Sequence, residues 1–247
     1  MQISGRTVVI PGATSGIGRA LAVALHDAGA TVIAGGRRQA LLDELAAEHP
    51  GIGTVVVDVA DPASITAAAA DVIERFPATD TLITMAGFSE PEDLTSGDFV
   101  DASARMVTTN ILGTVRLIGA FTEHLAQVGS GSIVTVSSGL AFTPLAPMPT
   151  YSATKAFVHS FTDSMRLQLR DSGVRVREII PPAVQTEFAP GQSTAEWAMP
   201  LDEFVAETME LLAKDDDELV VDHARALRDS EVNGNRAELM DQLTHLG

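Results

Sequence analysis

The 247-residue chain carries 33 acidic against 16 basic residues, a formal net charge of −17, which repels nucleic acid and anionic membrane surfaces and leaves no basic footprint for either. Hydrophobic residues at 45% and charged residues at 20% match an ordinary folded domain, so a disordered or fibrous chain is excluded. With no cysteine anywhere, disulfides, thiolate metal sites and a cysteine nucleophile are excluded together.

The opening MQISGRTVVI has no secretory apolar region ending in a small-residue cleavage site, and no later apolar stretch is long enough to span a bilayer, so a cytoplasmic protein is expected. From Thr7 onward, short β-rich runs alternate with Ala- and Leu-rich segments of helical period. Strands are predicted at 7–10, 31–35, 54–58, 81–85, 132–137, 174–180 and 218–222, and helices at 19–28, 39–48, 64–75, 100–126 and 152–171. Gly29, Gly129 and Gly173 stand near helix ends as stop signals. The pattern implies an α/β fold: a seven-stranded, doubly wound, mainly parallel sheet flanked by helices. No repeat or composition break divides it, so residues 1–247 read as a single domain. Two segments interrupt the alternation. Residues 139–150 carry Pro144, Pro147 and Pro149, and residues 186–200 mix Pro, Gly and Ser with Phe188 and Trp197. Loops of this length and apolar content are expected to face a substrate.

The turn after the first strand reads PGATSGIG. A strand–turn–helix unit offers unpaired N–H groups and the positive end of a helix dipole, an anion site wherever the backbone can approach closely. Gly12 supplies the conformation of a tight turn, and Gly16 and Gly18, lacking Cβ, leave room for a dinucleotide pyrophosphate. Thr14 and Ser15 add hydroxyls. The spacing is G-x-x-x-G-x-G, not G-x-G-x-x-G, so the turn alone leaves a plain small-residue loop as the alternative. Downstream, YSATK places Tyr151 and Lys155 one turn apart on one helix face. Tyr151 is the only tyrosine of the chain, and Lys155 is one of two lysines beside fourteen arginines. A compact ammonium has been kept where its charge state is tunable.

In order and spacing these motifs resemble the short-chain dehydrogenase/reductase family, in its compact single-domain branch. The resemblance covers nearly the whole chain: the glycine turn at 12–18, Asp58 after the third strand, Ala86–Gly87 after the fourth, Asn110 and Gly113 in N-x-x-G, Ser137–Ser138 closing the fifth, Tyr151 thirteen residues after Ser138 with Lys155 completing Y-x-x-x-K, and Pro181 to Thr186 in P-x-x-x-x-T. The departures are Pro11 for a usual Thr, Thr84–Met85 for a usual Asn–Asn, and Pro181–Pro182 for Pro–Gly.

The resemblance implies a Rossmann fold and hydride transfer between NADP(H) and a carbonyl/alcohol pair, with Tyr151 as general acid or base. Ser138 would donate to the substrate oxygen, Lys155 would hold the nicotinamide ribose, and Asn110 would hold a water behind Lys155. Bringing a phenol from about 10 to about 7 requires about 4 kcal/mol of preferential phenolate stabilisation, which Lys155 and, in the oxidising direction, the cationic nicotinamide are expected to supply. Cofactor contacts are expected from Gly12, Thr14, Ser15, Gly16, Ile17, Gly18, Asp58, Val59, Ala86, Gly87, Pro181, Val184 and Thr186, besides Asn110, Tyr151 and Lys155. The second strand ends TVIAGGRR. Family members that bind NAD place an acidic residue near Gly36, whereas here Arg37, foremost, and Arg38 stand ready for a 2′-phosphate. NADP(H) is therefore favoured over NAD(H). Leu140, Phe142, Leu145, Met148, Phe188, Trp197 and Met199 suggest an apolar carbonyl or alcohol as substrate. The family further implies a homo-oligomer, a dimer or tetramer. The alternatives are a non-catalytic NADP(H)-binding regulator and an epimerase or dehydratase of the same superfamily. No metal site is expected, because His26, His49, His124, His159, His223 and His245 show no ligand spacing.

Overall fold

The structure is a computed structural model and describes residues 2–244; His245 lies outside them. Seven strands form one parallel sheet in the order β3-β2-β1-β4-β5-β6-β7: β1 Thr7–Pro11, β2 Thr31–Gly36, β3 Gly53–Val56, β4 Thr81–Thr84, β5 Ser132–Val136, β6 Arg175–Ile180 and β7 Glu218–Val220. Successive side chains of a strand point to opposite faces, and β1 shows the result. Val8 and Ile10 join a core with Leu21, Leu25, Ile83, Ile179 and Phe204, while Val9 joins another with Ile65, Leu82, Phe121 and Val176. Both faces are buried, as an all-parallel sheet requires. The order reverses where β1 lies between β2 and β4, and ligands of such sheets bind outside the carboxyl ends of the strands at that point.

The helices are α1 Gly16–Asp27, α2 Gln39–Glu48, α3 Pro62–Arg75, α4 Phe99–Met106, α5 Thr114–Gln127, α6 Pro149–Gln168, α7 Leu201–Ala213, α8 Asp222–Arg228 and α9 Arg236–Thr244. α3 starts where Asp61 accepts from the Ala63 N–H and Pro62 fills the first turn. The helix expected over 100–126 is helical throughout, but Val107–Gly113 between α4 and α5 is a π-helical segment. There Gly113 lies against the β3–α3 connection so closely that a Cβ would stand 2.7 Å from the Val59 carbonyl oxygen. Pro149 opens α6 instead of ending the preceding loop, which puts Tyr151 in the helix's first turn. The loop over 186–200 includes a short 3-10 turn, Gln192–Thr194, and its Met199 bridges to Val184. Helices α7, α8 and α9 lie beyond every predicted helix. In α7 the apolar positions Phe204, Leu211 and Leu212 do face the core, and its last carbonyls are gathered by the fully buried Arg177 of β6. That guanidinium donates to Leu211, Leu212, Lys214 and Asp216 oxygens.

Candidate active site

At the glycine turn, missing side chains do the work. Gly12 has φ +99, and a Cβ there would stand 2.6 Å from the Ala86 nitrogen. One on Gly18 would stand 2.2 Å from the Gly12 carbonyl oxygen. The turn is thus folded tightly against the end of β4. Ser15 is the N-cap of α1 but makes no side-chain cap bond, so the helix's first N–H groups are left open to an anion. Thr186 reaches the same place, its side chain 3.6 Å from where a Gly16 Cβ would be.

Pro11 costs this arrangement nothing. Strand N–H groups alternate sides, and the Gly12 N–H points to the Gly35 carbonyl of β2 at 2.8 Å. The residue before it would aim its N–H at β4, where pairing with β1 has already ended at Val9–Leu82.

Arg38, rather than the expected Arg37, reaches the turn. Its guanidinium donates to Thr14 Oγ1 and Ser15 Oγ, both at 2.8 Å. The reason is helical geometry: Arg38 is the N-cap of α2 with extended backbone, which directs its side chain back over α1's start. Gly36 beside it has no room for an acid, since a Cβ there would stand 2.4 Å from Thr14 Cγ2. Asp58 accepts from the Ala60 N–H at 2.9 Å, turning the chain into α3.

The second half of the site is on α6. Tyr151 and Lys155 are both 8% exposed and Ser138 is 7% exposed, and the Lys155 ammonium stands over the Tyr151 ring, 5.6 Å from its centroid. Ser138 stands by the Tyr151 hydroxyl, and its Oγ accepts from the Leu140 N–H at 3.1 Å. Burial pushes the phenol above its ordinary value, and only the Ser138 bond works the other way. In the ligand-free chain, burial thus outweighs the Ser138 bond, and no lowering of the phenol results from the protein's own groups. Burial likewise pushes the Lys155 ammonium down to about 8, opposed by the charge of Glu178. The hydrogen bond found for Lys155 among the described residues goes to the Val136 carbonyl at 2.8 Å. An ammonium carries three donors, so two are left to meet a ligand.

Asn110 braces the loop after β4 with its side chain. Its amide donates to the Phe88 carbonyl at 2.9 Å and to Thr154 Oγ1 at 3.2 Å, and accepts from the Phe88 N–H at 3.1 Å. Both donors are used, so the side chain braces the strand-end loop and holds no water through them. This bracing takes the place of the missing Asn–Asn pair: Met85 packs on the core, and Thr84 Oγ1 is buried without a protein partner. A Cβ on Gly87 would fall 3.3 Å from Asn110 Oδ1 and 3.9 Å from Lys155 Nζ, so Gly87, Asn110 and Lys155 converge. Pro181 closes the site through its carbonyl, which accepts from the Gly139 N–H at 3.0 Å. Ile17 packs against the core beside α1, and Val184 is buried within it.

The apolar residues separate into two groups. Leu140 and Met148 pack with Phe88, Ala102, Met106 and Tyr151, and the Phe188 ring lies 5.4 Å from that of Tyr151. Phe142 belongs elsewhere: its ring meets His159 and Arg228 and packs against Ile180, Val220 and Ala224. Met199 is core, and Trp197 is half exposed. Sequence reasoning missed Phe88 and Met106. Phe88 directly follows the Ala86–Gly87 pair and Met106 precedes Asn110 by four residues, but neither belongs to the motif beside it, and only the fold brings them to Tyr151. Among the described residues, no cluster of three or more His, Asp or Glu has the arrangement of a metal site, and no helix is long and apolar enough to cross a membrane.

Residues 6–197 match the family model described as short chain dehydrogenase. The chain is 40% identical over 189 residues to an uncharacterized oxidoreductase, DltE, of Bacillus subtilis, covering 75% of this chain and 74% of that one. It is 36% identical over 238 residues to sulfoacetaldehyde reductase 2 of Chromohalobacter salexigens, covering 94% and 93%. A crystal structure of a short chain dehydrogenase from Burkholderia cenocepacia in complex with NADP superposes with a TM-score of 0.85 at 26% identity, over 98% of this chain and 99% of that one.

Proposed function

The chain belongs to the short-chain dehydrogenase/reductase family of oxidoreductases, and from that premise we propose that it reduces an apolar aldehyde or ketone with NADPH, or oxidises the matching alcohol. The observation that carries the proposal is the convergence of Ser138, the Tyr151 hydroxyl and a buried Lys155 with two unmet donors. The cradle at 12–18 fits a dinucleotide: the glycines keep it open, the first turn of α1 takes the pyrophosphate, and Lys155 takes the nicotinamide ribose. When bound, the nicotinamide supplies the hydride.

The chain's residues supply the rest. Ser138 donates to the carbonyl oxygen and fixes it beside the phenol, which limits the approach to one geometry. Tyr151, kept protonated by burial, gives its proton to that oxygen as the hydride arrives. A protonated phenol is the form this direction needs, and it is the form present at neutral pH. In oxidation the same phenol must lose its proton, and the Lys155 ammonium together with the Ser138 hydroxyl favours the anion.

Arg38 supports NADP(H) over NAD(H). Its fork already spans Thr14 and Ser15, and a 2′-phosphate offers it a charged acceptor in their place. Phe88, Phe188, Leu140 and Met148 around Tyr151 favour an apolar substrate, unlike the sulfonate-bearing aldehyde for which the Chromohalobacter relative is named. Exposed Leu94, Val107 and Phe157 line one groove on the outer side of α4 and α6, which supports a homo-oligomer. Consumption of NADPH with a panel of aldehydes and ketones graded in size and polarity tests the activity. No turnover with any member, from a protein that binds NADPH, would leave a dinucleotide-binding role without catalysis.

A further inference from the structure

One turn beyond Lys155, α6 carries a second charged contact that the reaction described above does not use. His159 Nδ1 lies 2.9 Å from Glu178 Oε2 and 3.2 Å from Oε1. Glu178 stands in the interior of β6 and is fully buried. Its neighbour Arg177 faces α7, so Glu178 faces α6, beside the Thr135–Thr162 hydroxyl pair at 2.7 Å. The Phe142 ring covers the imidazole at 4.6 Å. The charged groups facing His159 are Glu178 of β6, Asp163 of α6 at 3.7 Å and Glu218 of β7, the last held by Arg228 of α8 at 2.7 Å. Lys155 is anchored on the same part of the sheet, since its acceptor Val136 is in register with Ile179, the residue after Glu178.

A buried carboxylate is costly unless paired, and packing here asks for none: Val176 and Ile179 of the same strand serve the core without one. The acid's partner is a titratable imidazole at partial exposure rather than an arginine fork. What the arrangement provides is a buried carboxyl group on β6, one residue before the position in register with the Val136 carbonyl that anchors a buried ammonium. We propose that Glu178 and His159 are a positioning pair for Lys155: the Glu178 carboxylate keeps the ammonium protonated within the sheet–helix layer, and His159 holds that carboxylate in place. This rests on the reading of Lys155 as the partner of Tyr151 and of the nicotinamide ribose. The charge balance agrees with it, since burial lowers the Lys155 pKa and Glu178 opposes that fall. His159 in turn is held above its ordinary value, chiefly by its bond to Glu178.

The chain has only two lysines, Lys155 and Lys214, so ¹³Cε-labelled lysine gives two resonances, and Lys214→Arg assigns them. In Glu178→Gln, which keeps size and an acceptor for His159, the titration midpoint of Lys155 should fall by about one pH unit, the scale of a nearby opposite charge. Glu178→Asp should recover most of that shift. If Gln at 178 does not fold, His159→Arg asks the same question, because a permanent cation on Glu178 must also lower the Lys155 midpoint. A Lys155 resonance displaced by less than about 0.3 pH unit in either folded variant overturns the proposal, an interaction too small to matter at one unit per 1.36 kcal/mol. The alkaline limb of carbonyl reduction should move with the resonance. A shifted resonance in a protein without reductase activity would keep the pair and reject the proposed reaction, so the two failures are distinguishable.

Discussion

The glycine turn after β1 and the first two turns of α6 build one site by opposite means. At the turn, function rests on atoms that are absent: no Cβ at Gly12, Gly18 or Gly36 could be added without meeting backbone or Thr14 within 2.6 Å. On α6 it rests on polar groups buried against their own preference, a phenol pushed up and an ammonium pushed down to about 8. The first region fails by collision and the second by loss of charge or proton. The difference teaches where stability and activity are opposed: enlarging a glycine harms both, whereas removing a buried charge harms only activity.

The largest expected effect tests the second region. Tyr151→Phe keeps the ring and removes the proton, so turnover should drop by about 10²–10⁴-fold, the scale of general acid catalysis. NADPH affinity, read by fluorescence titration, should hold. Loss of affinity equal to loss of turnover would make Tyr151 a binding residue instead. Gly18→Ala tests the first region by collision. The added methyl must displace the Gly12 carbonyl, which costs about 1–3 kcal/mol of overpacking, and NADPH affinity should weaken about tenfold to a hundredfold together with a lower melting temperature. An alanine variant with unchanged affinity would show that the turn has slack.

Arg38→Ala is the charged exception within the glycine region. A hydrogen bond to a charged group contributes about 1.5–3 kcal/mol, so NADPH should bind about ten- to a hundredfold more weakly while NADH changes little. Arg37→Ala, removing a side chain outside the Thr14–Ser15 contact that Arg38 makes, should leave both cofactors alone. The reverse ranking would return the phosphate contact to Arg37.

The smallest effect has the opposite sign. Lys155→Met should abolish the protein's activity yet stabilise the ligand-free fold at neutral pH by about 1–2 kcal/mol, since it removes a buried ammonium. The Lys155 pKa is lower in the folded chain, about 8 against 10.5, so between these values the unfolded chain binds more protons and wild-type stability rises with pH. The advantage of the Met variant is thus full below about pH 8 and fades toward pH 10.5. Denaturant melts at pH 7 and pH 10 check it, and a gap that does not narrow would mean that packing, not charge, separates the two proteins.

Much of the first region was legible in the chain. A strand followed by three glycines and a helix leaves few backbone paths, and local conformation fixes the rest. Of the second region, Ser138, Tyr151 and Lys155 were legible through their motif spacing, and so was their helix. The contact between Arg38 and the turn was not, because which of two adjacent arginines reaches back depends on where α2 begins. Phe142 looked like pocket lining by its place after Ser138, but an apolar residue carries no mark of the face it will join. Phe88, tied to Asn110 by two hydrogen bonds and packed with Tyr151, follows the Ala86–Gly87 pair but is no part of that motif.

By itself the sequence determined the alternation of strands and helices, the parallel sheet, the family and the pairing of Tyr151 with Lys155 on one helix face. Each of these follows from periodicity or from spacing along one helix or turn, where interacting groups are near in sequence. Only the tertiary structure decided that Asn110 braces Phe88, that Arg38 spans Thr14 and Ser15, and that Glu178 stands buried beside His159. Those pairs are 19 to 24 residues apart. Their meeting depends on the crossing of helix over sheet, and no local propensity encodes it.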